Sequence, residues 1–115
     1  MKYILMVFND DKRFQAMSEA DRAKAVVPYG AYTEALKTAG VYGGSERLRP
    51  VEMATTVRVA NGKTEVLNGP YAETKEQLGG YFLIDVPDLD AAISWASRCP
   101  GASHGTVEVR PIWPM

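Results

Sequence analysis

Lys2-Tyr3-Ile4-Leu5-Met6-Val7-Phe8 opens the chain and decides how it must fold. In a strand, successive side chains point to opposite faces. Tyr3, Leu5 and Val7 then share one face, and Ile4, Met6 and Phe8 share the other. Neither face is polar, so both need cover. A second run, Gly80-Tyr81-Phe82-Leu83-Ile84-Asp85-Val86, has the same character. An antiparallel sheet with one wet face normally alternates apolar and polar residues. These two strands do not alternate.

Outward from them, the other elements follow from local chemistry. Ser18 caps a helix whose first turn holds Glu19 and Asp21, which suits the helix dipole. Ala25, Tyr29, Tyr32, Leu36 and Ala39 recur at helical spacing, and Gly40 stops the run. Pro28 conflicts with this pattern. It removes a backbone hydrogen bond, so a kink or two helical pieces are expected. Val41 to Leu48 reads as a short glycine-rich strand or extended segment. Thr55–Ala60 and Lys63–Leu67 flank Asn61-Gly62, a pair suited to the positive φ angles of a type I′ turn. That turn places Ala60 opposite Lys63, Arg58 opposite Glu65 and Val57 opposite Val66. Asp88 caps a second helix with Leu89, Ala92, Ile93 and Ala96 inward. Thr106 to Trp113 forms the last strand, with Val107 and Val109 on one face, Glu108 and Arg110 on the other, and Pro111 marking an edge.

The order is strand, helix, strands, helix, strand, an α+β arrangement in a single domain spanning 1–115. Two helices cover only one face of one antiparallel sheet. The second face is expected to be covered by an identical sheet, giving a homodimer with a barrel-like core. Leaving several of these side chains wet would cost roughly 1.5–3 kcal/mol each, against net stabilities of about 5–15 kcal/mol.

Composition narrows the function classes. The chain has 115 residues, 46% of them hydrophobic and 23% charged, with a formal net charge of -1. That balance gives no field for nucleic acid or an anionic membrane. No apolar run approaches the roughly 20 residues of a membrane span. The opening apolar run ends at Asn9-Asp10-Asp11 rather than at a small-residue cleavage site, so a cytoplasmic location is expected. Cys99 is the single cysteine and His104 the single histidine, too few for an ordinary zinc set or an internal disulfide. No phosphate-binding glycine motif is present; Gly43-Gly44 and Gly79-Gly80 read as turn glycines.

The chemistry concentrates in Asn68-Gly-Pro-Tyr-Ala-Glu-Thr-Lys-Glu-Gln-Leu-Gly-Gly-Tyr81. Glu73, Lys75 and Glu76 form the densest ionisable cluster. They read either as a ligand clamp at the mouth of a pocket or as surface ion pairs. Thr74 to Gln77 matches a capping box and so predicts a short helix. Tyr29, Tyr32, Tyr71 and Tyr81 could line an aromatic pocket, with Tyr32 and Tyr81 the better core residues. Arg110 could hold an anion or pair with a carboxylate such as Glu73 or Glu108. His104 reads as a loop histidine, and Cys99, at a helix C-terminus, as structural rather than reactive.

The run N-G-P-Y-A-E-T-K-E-Q-L-G-G-Y-F-L-I-D-V, the D-L-D-A-A-I-S-W-A helix, the C-P-G turn and the closing V-E-V-R-P-I-W resemble the DGPF group of YCII-related proteins, from Tyr3 to Trp113. The resemblance implies a ferredoxin-like antiparallel sheet with helices on one face, dimerising into an α/β barrel. It also implies a bacterial protein whose relatives often lie beside genes for extracytoplasmic-function sigma factors. Two positions depart from the pattern. Asn68 replaces the acid of the D-G-P-F motif, and Tyr29 stands where wider YCII-like proteins carry a helix histidine suspected, with an Asp, of catalysis. The chain therefore lacks that acid/base pair. Two functions are expected to compete. One is a protein binding or converting a small molecule without metal or organic cofactor, its pocket rimmed by Tyr29, Glu73, Lys75 and Arg110. The other is a non-catalytic regulatory or interaction module. A closed cavity with convergent polar groups favours the first, and an exposed apolar patch near the loop favours the second.

Overall fold

A computed structural model of the chain describes residues 1–114. In chain order the elements are β1 (Lys2–Asn9), α1 (Asp11–Ala16), α2 (Glu19–Thr38), β2 (Tyr42–Arg47), a 3-10 turn (Val51–Met53), β3 (Thr55–Ala60), β4 (Lys63–Asn68), β5 (Gln77–Asp85), α3 (Leu89–Arg98), α4 (Gly101–His104) and β6 (Thr106–Pro111). Four strands form one antiparallel sheet in the order β2-β5-β1-β6. This is the ferredoxin-like α+β fold, with the β3–β4 hairpin inserted as a separate two-stranded sheet.

The two unalternating strands are the central pair. β1 runs antiparallel to β5 with Tyr3 opposite Ile84, Leu5 opposite Phe82 and Met6 opposite Tyr81. Tyr3, Leu5, Val7, Phe82 and Ile84 are buried beneath Tyr32 and Leu36 of α2 and Ala92 and Ala96 of α3. Both long helices thus cover the same face. Tyr32 anchors the layer: its ring meets Phe82 edge-on with centroids 5.1 Å apart, and its hydroxyl donates to the Trp95 carbonyl at 2.7 Å. The opposite face carries Ile4, Met6, Phe8, Tyr81 and Leu83, all half-buried, and among the described residues no helix lies over it. The molecule is only 18 Å along its shortest axis, against 46 and 42 Å along the others. That thickness fits one helix layer on one sheet layer.

The caps form as the sequence dictates. Ser18 Oγ accepts from the Asp21 backbone N–H, and Asp88 Oδ1 accepts from that of Ala91. The hairpin also keeps its expected register, with Ala60 opposite Lys63, Arg58 opposite Glu65 and Val57 opposite Val66. Asn61 and Gly62 have φ angles of 52° and 75°, as a type I′ turn requires.

Four details differ from the sequence expectation. Helix α2 runs through Pro28 as one helix rather than as two helical pieces. Pro28 is exposed, so the carbonyl it leaves unpaired can be hydrated while Tyr32 and Leu36 hold the helix to the sheet. A short helix, α1, precedes it, capped by Asp10, whose carboxylate accepts from the Arg13 N–H. In α3 the inward stripe is Ala92, Ala96 and Cys99, while Leu89 and Ile93 are each 49% exposed. Small residues let that helix sit close to the sheet, which turns the larger side chains to its flanks. Tyr81 lies on the uncovered face rather than in the core.

Glycine at position 80 is set by a close approach rather than by a turn. A Cβ there would lie 2.7 Å from the Glu46 carbonyl oxygen of β2. Gly80→Ala is expected to push β2 from β5 and destabilise the protein by about 1–3 kcal/mol. Thermal unfolding checks this, and an unchanged melting temperature would show that the β2 edge yields freely.

Candidate active or binding site

The central strand pair ends where Asn9 faces Gln77. Beyond that point the chain enters α1 on one side and the 68–76 loop on the other. Between them lies a cleft of about 570 Å³. Asp10, Asp11 and Lys12 form one wall and Glu52 of the 3-10 turn another. The hairpin root at Asn68–Pro70 and the loop residues Glu73, Thr74 and Lys75 complete it. A smaller and more apolar cleft of about 360 Å³ adjoins it, sharing Val51, Pro70 and Gln77.

Hydrogen bonds hold each wall. The Val51 N–H donates to Asp11 Oδ2 at 3.4 Å, tying the 3-10 turn to α1. At the hairpin root, the Gly69 N–H donates to the Ala54 carbonyl at 2.7 Å, and the Thr56 hydroxyl donates to the Gly69 carbonyl at 2.8 Å. Gly69 has φ 108°, a conformation open to glycine and strained for other residues. Gln77 sets the loop: its Nε2 donates to the Ala72 carbonyl at 2.9 Å and to the Thr74 carbonyl at 3.1 Å. Thr106 of β6 donates its hydroxyl to Glu76 Oε1 at 2.7 Å, fastening the loop to the sheet edge.

The expected helix over Thr74–Gln77 does not form. Gln77 belongs to β5, and its side chain reaches back to loop carbonyls instead of a helical N–H. Thr74 donates its hydroxyl to the Glu76 carbonyl, a local turn rather than a cap. Strand pairing of Gln77 with Asn9 takes precedence over the local capping preference.

The four candidate residues do not share one site. Glu73 and Lys75 both line the larger cleft. Among the described residues they form no ion pair with each other. Tyr29 lies on the helix-covered side of the sheet, stacked on Phe82 with ring centroids 6.4 Å apart. Its hydroxyl occupies the space above Gly101, where a Cβ would come within 2.9 Å of it. Arg110 sits opposite Ile4 on the uncovered face and approaches its own Glu108 at 3.9 Å, a loose and exposed pair. Sequence reasoning also missed Asp10, Asp11, Lys12 and Glu52, which the fold carries to the cleft from other segments. The Asn9-Asp10-Asp11 break after β1 was the only local sign of the first three, and Glu52 had none.

The titratable groups of the core favour their neutral forms. Burial raises Tyr29 above its ordinary 10.0, the nearby Cys99 adds to this, and Arg47 opposes it. Burial also raises Tyr32, and raises the Cys99 thiol above 9.0 against the backbone N–H groups of Gly101 and Ala102. Cys99 is buried and so fits the structural role expected of it. His104 ends α4 and is exposed. Among the described residues, no group of three or more His, Cys, Asp or Glu side chains is placed to hold a metal ion. No described helix is long and apolar enough to cross a membrane.

An antiparallel ferredoxin-like sheet, a hairpin insert and a cleft framed by the N-G-P-Y-A-E-T-K-E-Q loop define a small α+β class of domain. Comparison agrees with that assignment: the sequence model of the YCII-related domain matches residues 1–115. The chain belongs to the YCII-related family. It is also 38% identical over 114 residues to an uncharacterized protein of Rhizobium meliloti (strain 1021), covering 97% of this chain and 92% of that one.

Two predictions follow from the hydrogen bonds and the titrations. Gln77→Ala removes both side-chain tethers of the loop. It is expected to cost about 1 kcal/mol and to speed amide exchange over 72–76 while β1 and β5 keep their protection. The second concerns pH. The unfolded chain releases the Cys99 and tyrosine protons at lower pH than the folded chain does, so it binds fewer protons above that point. Stability contributed by these groups is complete below about pH 9 and declines as pH rises through the raised folded values. Urea midpoints from pH 8 to 11 measure the decline, and Tyr29→Phe should make it shallower.

Proposed function

We propose that this protein binds a small polar molecule in the cleft beside the 68–76 loop and acts as a homodimer, without metal or organic cofactor. One observation carries the reading. The cleft of about 570 Å³ is rimmed by groups of both charges, Glu73 and Lys75 from the loop and Asp10, Asp11, Lys12 and Glu52 opposite them. A ligand bearing both an amine and an acid group would find partners on either wall. Conversion of the ligand would need a proton donor or acceptor, and Glu73 is one of four carboxylates that line the cleft, with Asp10, Asp11 and Glu52. Tyr29 is the remaining family-position residue, and its protonated hydroxyl would serve only to donate or accept a hydrogen bond.

Support for the homodimer comes from the uncovered sheet face. Its centre, on β1 and β5, is apolar, with Ile4, Met6, Tyr81 and Leu83. Its edge strands bring Glu46, Glu108 and Arg110 around that centre. An apolar core with a polar rim is the anatomy of a protein interface. Two such faces packed together would give the α/β barrel.

The second reading is a regulatory interaction module, in the setting of extracytoplasmic-function sigma factors that the family resemblance suggests. The observation in its favour is the exposed apolar hairpin next to the loop, with Val57 and Val66 both outward.

Native mass spectrometry of protein purified from its host separates the two. The binding reading expects a retained molecule of a few hundred daltons. Glu73→Ala with Lys75→Ala should abolish retention and move the melting temperature by no more than a few degrees. Retention unchanged in that variant would remove the cleft from the account, and its replacement by a co-purifying protein would favour the interaction module.

A further inference from the structure

The β3–β4 hairpin is the least supported part of the molecule. None of its strand residues is buried. Val57, Val59 and Val66 share one face and are 61%, 67% and 60% exposed. A two-stranded hairpin with nothing packed on it is marginal in water. Among the described residues no helix or sheet covers that face, as the exposure of the three valines shows, and the hairpin forms a sheet apart from the main one.

The chain as a whole is too open for a lone subunit. Its radius of gyration is 16.0 Å, where a compact chain of this length has about 13 Å. It exposes 8244 Å² at a mass of 12.6 kDa, against about 6,200 Å² for a typical monomer of that mass. The excess of about 2,000 Å² per chain is the share a large homodimer interface buries. The main sheet does not account for it. Four strands about 4.8 Å apart and six to nine residues long cover roughly 460 Å² in projection, and the apolar side chains at the centre of that face are already half-buried. Most of the excess therefore lies outside the sheet face, and the hairpin is the element that projects.

We infer that the β3–β4 hairpin is an arm that clasps a second copy of this chain, burying Val57, Val59 and Val66 against it. The inference rests on the homodimer proposed above and extends the interface beyond the sheet. A second copy fits for two reasons. The arm needs cover from the moment it folds, and an identical chain is the partner always present in equal amount. The arm also presents no single-sign charge to select a charged partner, since Arg58 faces Glu65 across the strands. By two-fold symmetry each chain gives one arm and receives one. The root of the arm, Asn68–Pro70, also walls the cleft, so a docked arm holds that wall in place.

Sedimentation equilibrium of the full-length chain and of Val57→Lys with Val66→Glu tests this. The paired charges lie directly opposite each other and preserve the hairpin. The arm inference expects a wild-type dimer at micromolar concentration and a dimer dissociation constant raised at least about 100-fold in the variant, with circular dichroism unchanged. A wild-type monomer overturns both the dimer and the arm. A variant that dimerises as tightly as wild type overturns the arm alone and leaves the sheet-face dimer standing. A photo-crosslinking residue at Val59 in the otherwise native chain decides the matter should the double variant misfold. A covalent dimer supports the inference. Cross-linking only within the chain overturns it, as does cross-linking in host extract to a different protein and not to a second copy.

Discussion

The antiparallel pairing of β1 with β5 is the constraint on which the rest of the structure depends. It sets Tyr3 against Ile84 and Leu5 against Phe82 on one side, and Met6 against Tyr81 on the other. The side chains of the first set make a floor for Tyr32, Leu36, Ala92 and Ala96. Burial of those apolar groups, at about 25 cal/mol per Å², is what fixes both helices to the same face. β2 and β6 then add to the free sides of the pair, β2 close enough to β5 that only glycine fits at position 80.

The same pair positions the cleft. Asn9 and Gln77 are its last partners, and the chain leaves them in two directions. One exit places Asp10, Asp11 and Lys12; the other holds the loop through the Gln77 side chain. Polar groups brought together in this way are on irregular backbone held by a rigid sheet, the usual position for a binding surface. The second consequence of the pair is its uncovered side. β1 and β5 are apolar on both faces, and the chain's own helices cover one of them.

Local physics was legible wherever one residue or one short pattern carried it. The Asn61-Gly62 turn set the register of a whole hairpin, because its positive φ angles admit few residues and leave one pairing. Ser18 and Asp88 announced their helices through side-chain oxygens that cap backbone N–H groups. The loop failed for the opposite reason. Thr74 to Gln77 carries a good helix-start pattern, yet Gln77 is claimed by Asn9 across the sheet. Pro28 likewise does not divide its helix in two: its local conflict is outweighed by Tyr32 and Leu36 packing one and two turns later. For the site, Glu73 and Lys75 were visible as a cluster, Asp11 only as part of the Asn9-Asp10-Asp11 break after β1, and Glu52 not at all, because nothing in its own segment distinguishes it from solvated surface.

The amino-acid sequence alone determined the six strands and the two long helices, the hairpin register, the caps of those helices and the presence of two strands apolar on both sides. These depend on neighbours within a few residues, where backbone geometry and side-chain alternation act directly. Only the tertiary structure decided that Tyr29 and Arg110 fall on opposite sides of the sheet, that Asp10, Asp11 and Glu52 join Glu73 and Lys75 around one cleft, and that the hairpin stands apart from the core. Those outcomes depend on which distant segments compete for the same strand edge and the same apolar floor, and that competition is settled in space rather than along the chain.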